Sequence, residues 1–326
     1  MPRLHRAVIS LDGITSVSVV YDIAFDDITC RFDDGTVALD HLSLSIEAGE
    51  MFGLVGPSGC GKTTALRVLA GLETATGGRV LLGGRDITRV RTRDRNLGLI
   101  TQSNQLLGHL SARDNIRFPL TVRGDTLYAE RQHEQVAIEA SGLGIRHLLD
   151  RSPRTLSEGE RRTVQLARAV VNSPATLLMD EPFAFLEDRL RLRLRGDVVR
   201  IHAARGLTSI LVTASQEDAM AMCDRVAVLF DGCVHQVGPP WEVYDRPATA
   251  QVGAFFGEPS MNVVPATVRV RGADRHLEML GRAVRVWSPL VDVYNGSTVL
   301  VGFRGQDLEV GERAVDAIEA KVLTTE

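Results

Sequence analysis

The chain has 326 residues, 44% hydrophobic and 24% charged, which fits two globular domains with sizeable cores and excludes a disordered chain. A net charge of −4 argues against a large basic face for nucleic acid. No apolar run nears the ~20 residues of a membrane span, and the N-terminal apolar stretch is too short for a signal peptide, so a cytosolic protein is expected.

Residues 1–21 show no clear pattern and read as an N-terminal extension. From Asp22 the texture is that of an α/β domain running to residue 240. Leu42, Leu44 and Ile46 alternate with polar partners, as in a half-buried strand. Met51–Val55 is a short apolar run ending at Gly56, and Thr63–Leu72 then carries helical spacing. Further strands are predicted at Arg79–Leu82, Leu97–Thr101, Thr176–Met179, Ser209–Val212 and Arg225–Phe230, several of them continuous apolar runs as in a sheet covered on both faces. Residues from about 103 to 172 read as a helical subdomain, clearest at Tyr128–Ser141 and Glu160–Val171. Arg189–Arg195 alternates Arg and Leu with period two, which locally argues strand, but its place between two sheet strands argues for a crossover helix. Asp231-Gly232 is a hairpin turn signal. From 241 to 326 Pro and Gly become frequent and short strand-like runs recur at Val268–Val270, Val284–Trp287 and Val299–Phe303, which predicts a small β domain.

Cys30, Cys60, Cys223 and Cys233 form no CxxC pair and no Cys/His cluster, so neither a zinc site nor a disulfide framework is suggested. Arg85, Arg89, Arg91, Arg93 and Arg95, broken by Asp86 and Asp94, read as a solvated loop. Of 37 basic residues only Lys62 and Lys321 are lysines, which asks what chemistry needs a lysine at 62.

Gly56-Pro57-Ser58-Gly59-Cys60-Gly61-Lys62-Thr63 answers it. The run matches G-x-x-x-x-G-K-[ST] between an apolar strand and a helix. Glycines let successive backbone N–H groups turn inward at phosphate oxygens, and the helix adds its positive end. The Lys62 ammonium is a point charge that reaches the outer phosphates, a task for which the planar guanidinium is unsuited. The Thr63 hydroxyl is suited to hold Mg2+, and Cys60 reads as a small loop residue. Leu177–Asp180-Glu181-Pro182 is a buried strand ending in two acids, of which Asp180 can hold the Mg2+ shell and Glu181 can polarise an attacking water.

With these motifs in order, the chain resembles the ATP-binding subunits of ABC transporters, of the carbohydrate-importer type that carries a C-terminal β domain. The likeness runs from about Asp22 to Asn262, with a weaker tail to about Asp307. It implies a P-loop NTPase fold followed by a small, truncated β domain of OB/TOBE type. It implies ATP and Mg2+ as ligands. Phe32 falls where the family stacks an aromatic on adenine, and Thr64 continues the phosphate loop. Gln102 falls at the loop glutamine that joins the nucleotide and Mg2+ site to the membrane subunits. Ser157-Glu158-Gly159-Glu160 falls at the signature motif, which serves the partner subunit's ATP. Ser157-x-x-Glu160 is also a capping box, and both readings can hold.

The sequence departs from the family at four places. Ala214 stands where the family has a switch histidine, Glu187 replaces an aspartate, Ser103-Asn104-Gln105-Leu106 replaces aromatics after Gln102, and the β domain stops early. ATP binding should survive, and hydrolysis should be slow. The resemblance implies an ATPase subunit powering import of a sugar or related polyol. It works with a second ATP-binding subunit and two transmembrane permease subunits, and indirectly with an extracytoplasmic solute-binding protein. It would sit peripherally on the cytoplasmic face of the membrane, with no nucleic-acid partner. The alternative is a hydrolysis-impaired regulatory subunit paired with a more complete ATPase.

Overall fold

A computed structural model describes residues 5–11, 14–102, 106–122, 129–287 and 289–307. The departures at Ser103, Asn104 and Gln105 lie outside the described residues, as do Tyr128 and everything beyond residue 307. The chain divides into two compact units, residues 1–241 and 242–326.

The first unit opens with β1 (His5–Leu11) and β2 (Ile14–Val20), paired antiparallel with Leu11 opposite Ile14. The sequence shows no obvious pattern there, yet Thr15, Val17 and Val19 are β-branched residues at alternate positions, which favours a strand. β3 (Ile23–Arg31) and β4 (Val37–Ile46) form a second hairpin, and β5 (Met51–Val55) leads into α1 (Lys62–Ala70). β6 (Gly77–Leu82) and β7 (Arg85–Asp86) follow, then β8 (Leu97–Ile100). Helices α2 (Ala112–Val122), α3 (Ala129–Gly142) and α4 (Glu158–Val170) come next. β9 (Thr176–Asp180), α5 (Asp188–Arg205), β10 (Thr208–Thr213), α6 (Gln216–Met222), β11 (Arg225–Phe230) and β12 (Cys233–Gly238) complete it.

Two sheets result. β4-β3-β6-β7 is antiparallel. β12-β11-β5-β10-β9-β8 is parallel except for β12, which returns from β11 through Asp231 and Gly232 with φ of 47° and 78°. Helix α1 lies in the core that joins the sheets. Its Ala65, Leu66, Val68 and Leu69 share a buried cluster with Ile23, Ile28, Leu42 and Ile46 of one sheet and Phe52, Leu54, Leu178, Ile210 and Leu229 of the other. β5, β9 and β10 are buried along their whole length, as strands covered on both faces must be.

α5 settles the period-two ambiguity as a helix. Leu194, Val198 and Ile201 are buried at helical spacing while Leu192 is exposed. Arg95 departs from the solvated-loop reading of its neighbours. It is buried, and its guanidinium donates to the carbonyls of Val68 and Leu69 at the C-terminal end of α1 and to Val90 and Thr88.

In the second unit, α7 (Pro240–Asp245) crosses the division and α8 (Ala250–Phe255) packs on an antiparallel sheet. The sheet has β13 (Asn262–Arg271), β14 (Asp274–Met279), β15 (Arg282–Arg285) and β16 (Thr298–Phe303) in the order β15-β14-β13-β16. Its small core is Ala266, Val268, Leu277 and Met279. The buried Arg304 guanidinium lies 3.6 Å above the Tyr244 ring and donates to the Tyr244 carbonyl.

Candidate active site

In the parallel part of the large sheet the C-terminal ends of β5, β9 and β10 share one edge, where a doubly covered sheet offers its crevice. After β5 the chain turns through Gly56, Gly59 and Gly61, all at positive φ. A Cβ at Gly56 would collide with the Leu229 carbonyl, and one at Gly61 with the Ala38 carbonyl. At both positions glycine is therefore required by space as well as by conformation. Gly56, Cys60 and Gly61 are buried, while Pro57, Ser58 and Gly59 face outward. Lys62 is only 6% exposed, yet among the described residues no carboxylate pairs with it. Its Nζ donates to the carbonyls of Gly56 at 2.7 Å and Pro57 at 2.8 Å, with Cys60 Sγ at 3.8 Å. Thr64 is half-buried on the first turn of α1.

Thr63, exposed beside Lys62, donates its hydroxyl to Asp180 Oδ1 at 3.0 Å. Burial pushes the Asp180 carboxyl up from its ordinary value, opposed by the Thr63 hydrogen bond and the charges of Lys62 and Arg67. Glu181 follows at φ 47°, a left-handed conformation unusual for a residue with a side chain, and its N–H donates to the Val212 carbonyl. Its carboxylate has different partners from that of Asp180. Oε1 accepts from the Ala214 N–H at 2.7 Å and Oε2 from the Thr213 hydroxyl at 3.3 Å. Burial raises this carboxyl too, against the Ala214 hydrogen bond and Lys62.

Lys62, Thr63, Asp180 and Glu181 thus converge. Phe32 stands in a turn after β3, closed by hydrogen bonds to Thr36 and Gly35, and is 38% exposed. Gln102 is exposed two residues past β8, whose Ile100 pairs with Met179 beside the two acids. No hydrogen bond joins Phe32 or Gln102 to the converging group among the described residues. Ser157 caps α4 in a complete capping box. Its hydroxyl accepts from the Glu160 N–H at 3.2 Å, and Glu160 Oε2 accepts from the Ser157 N–H at 2.7 Å, which holds the Glu160 carboxyl below its usual range. Exposed Glu158 pairs with Arg161 and Arg162. Gly159 is buried against Leu190, where a Cβ would collide.

Sequence reasoning missed the 213–215 segment as a contributor. It marked Ala214 only as a lost histidine, whereas the Ala214 backbone donates to Glu181. A backbone donor has no residue signature, and only the pairing of β9 with β10 brings it there.

A family model described as ABC transporter matches residues 39–184. The trehalose import ATP-binding protein SugC of Mycobacterium tuberculosis is 36% identical over 288 residues, 88% of this chain and 73% of that protein. The xylose/arabinose import ATP-binding protein XacJ of Haloferax volcanii is 40% identical over 299 residues, 90% and 76% of the two chains. The osmoprotective compounds uptake ATP-binding protein GgtA of Synechocystis is 42% identical over 240 residues, 74% of this chain but only 65% of that one. Among solved structures, an ATP-binding cassette of an ABC transporter in its ADP conformation superposes with TM-score 0.65 at 24% identity, over 71% of this chain and 98% of that one, and shows the shared fold.

Proposed function

The chain belongs to the ATP-binding proteins of ABC transporters, and from that membership we propose that it binds and hydrolyses ATP to power import of a sugar or related polyol. The observation that carries the reading is the convergence of Lys62, Thr63, Asp180 and Glu181 at one sheet edge. The cargo class rests on the names of the relatives, whose cargoes are trehalose, pentoses and osmoprotective compounds.

The residues fit an ATP–Mg2+ pair. The loop Gly56–Gly61 is a cradle in which side chains at Gly56 and Gly61 would collide with backbone, and Thr63 Oγ1 and Asp180 Oδ1 are hard oxygen donors 3.0 Å apart. Mg2+, when bound, neutralises phosphate charge, and Thr63, Asp180 and Gln102 would hold it. In this reading Gly56, Pro57, Ser58, Gly59, Cys60, Gly61, Lys62, Thr63 and Thr64 surround the phosphates, all but Pro57 offering a backbone N–H, and Phe32 stacks on adenine. Lys62 exchanges its carbonyl partners for phosphate oxygens, a charge-assisted contact stronger than the one it leaves. Glu181, held by Thr213 and Ala214, orients water and accepts its proton.

Ser157, Glu158, Gly159 and Glu160 then serve the ATP of a second ATP-binding subunit, with the capped start of α4 offering N–H groups to phosphate. Two permease subunits complete the transporter, and a solute-binding protein acts through them. A cavity of about 510 Å3, lined by Leu97, Leu99, Phe118 and Val122 and also by Arg93, Asp94, Arg168 and Asn172, lies on the strand that leads to Gln102, and it supports permease docking on that face. No helix among the described residues is long and apolar enough to cross a membrane, so the reading has the chain held peripherally, on the cytoplasmic face, by its partners. Residues 1–21 are an extension, 22–240 the ATP-binding domain with its helical subdomain near 103–172, and 241–326 a β domain of OB/TOBE type.

The alternative of a hydrolysis-impaired subunit rests on Ala214 and Glu187. The two hydrogen bonds already made to Glu181 without a histidine side chain favour the ATPase. Steady-state phosphate release by the purified chain tests this. Glu181→Gln should keep ATP affinity and lose turnover by roughly a hundredfold or more; full turnover in that variant would sink the assignment of Glu181.

A further inference from the structure

Ala214 has no polar side chain with which to fix its own backbone, yet its N–H makes the shorter of the two hydrogen bonds to the Glu181 carboxylate. Something else must hold the segment. On one side it is anchored by β10, which ends at Thr213. On the other it enters α6, whose N-cap is Ser215. Ser215 is tied three ways. Its N–H donates to Thr213 Oγ1 at 2.9 Å, and its hydroxyl accepts from the Asp218 N–H at 3.2 Å and from Arg191 Nη2 at 2.6 Å. Thr213 Oγ1 passes the restraint on, because the same oxygen donates to Glu181.

Arg191 comes from α5 and is itself rigid. It grips Asp218 with two nitrogens, Nε at 2.9 Å and Nη2 at 2.7 Å, and the Asp218 side chain is 2% exposed. A planar guanidinium bound bidentately to a buried carboxylate has little freedom, which makes its third contact, to Ser215, directional. Arg195, one turn further along α5, pairs with Asp218 and Glu217 and, among the described residues, makes no hydrogen bond to Ser215.

We propose that Arg191 is a positioning residue for ATP hydrolysis: through Ser215 it holds the Thr213–Ala214 donors that orient Glu181. The inference rests on the ATPase reading above. Arg191 touches no reacting atom, so it governs turnover and leaves nucleotide binding alone. Arg195, with the same carboxylate partner but no link to Ser215, serves stability only.

The experiment is steady-state phosphate release and ATP binding by the full chain and its variants. Arg191→Ala should lower kcat roughly ten- to hundredfold with KM for ATP within about twofold. Arg191→Lys, which keeps the charge, should recover part of the loss. Ser215→Ala removes one hydroxyl and leaves the Arg191–Asp218 pair, so it should reproduce the fall in kcat even if Arg191→Ala folds poorly. Arg195→Ala should lower the melting temperature with kcat near that of the parent. In a Glu181→Gln background, Arg191→Ala should cost nothing further. The proposal is overturned if Arg191→Ala or Ser215→Ala keeps kcat within about twofold of the parent, or if Arg191→Ala cuts the residual rate of Glu181→Gln by the same factor as in the parent. A Glu181→Gln variant with full turnover overturns the underlying reading as well, whereas an inactive Glu181→Gln beside fully active Arg191→Ala and Ser215→Ala overturns this inference alone.

Discussion

Lys62 is a buried cation whose partners are carbonyl oxygens of its own loop. Neutral acceptors satisfy it without cancelling its charge, which leaves the field available to phosphate. Lys62→Ala should therefore weaken ATP binding roughly a hundredfold or more, at about 1.5–3 kcal/mol for each charge-assisted hydrogen bond lost. Titration calorimetry with ATP checks this, and affinity within twofold of the parent rejects the phosphate-loop assignment. Ala214 is exposed and gives Glu181 only its backbone, so a histidine there would add a donor without disturbing that bond. Ala214→His should raise turnover roughly tenfold at unchanged ATP affinity, since one preorganised donor to developing charge is worth up to a hundred- to a thousandfold. No gain would mean that the existing donors already suffice.

The elements show where sequence periodicity carries information and where it does not. β5 and β9 were visible because strands buried on both faces must be apolar throughout. α5 was visible only through its place between strands. Its Leu/Arg alternation mimics a strand, and the true helical face is read from Leu194, Val198 and Ile201. β14 left no signal because only Leu277 and Met279 of its six residues are buried. Arg95 could not be told from its neighbours by composition. Its burial follows from α1 ending at Gly71 with φ 72°, which leaves the last carbonyls needing donors. Arg95→Ala should therefore destabilise the protein by about 3 kcal/mol, against about 0.5 or less for Arg93→Ala on the same loop. Urea unfolding of the two variants separates a structural cation from solvated ones.

Over the whole molecule, the parts of the site legible in the sequence were those whose chemistry lies in side chains at fixed spacing: the glycines, Lys62, Thr63, Asp180 and Glu181. The grip on Glu181 was not legible, because it uses a backbone N–H and a register between β9 and β10 that only the folded sheet defines. Burial of a different kind sets the response of the fold to acid. His202 on α5 shares a hydrogen bond with Ser209 on β10, and desolvation depresses its imidazole below the ordinary 6.5, with Asp224 opposing. The unfolded chain therefore takes up the proton first, so this contribution to stability is present above pH 6.5 and is lost as pH falls below it. Thermal melts should show a midpoint that declines on acidification through that range, and His202→Gln should flatten the slope. An unchanged slope would assign the acid response to other groups.

The absence of a side chain at Gly159 lets the start of α4 rest directly against Leu190 of α5, with no room for a methyl group between them. Leu190 is the residue before Arg191, which grips the cap of α6. A side chain at 159 would therefore have to displace the Leu190 side chain. In the proposed assembly of two such chains, the segment proposed to meet the neighbour's nucleotide would pack one residue away from Arg191, on the way to the segment that holds the chain's own glutamate. Any coupling between the two halves of that proposed assembly would have this contact to run through, at a place where a single methyl group is missing.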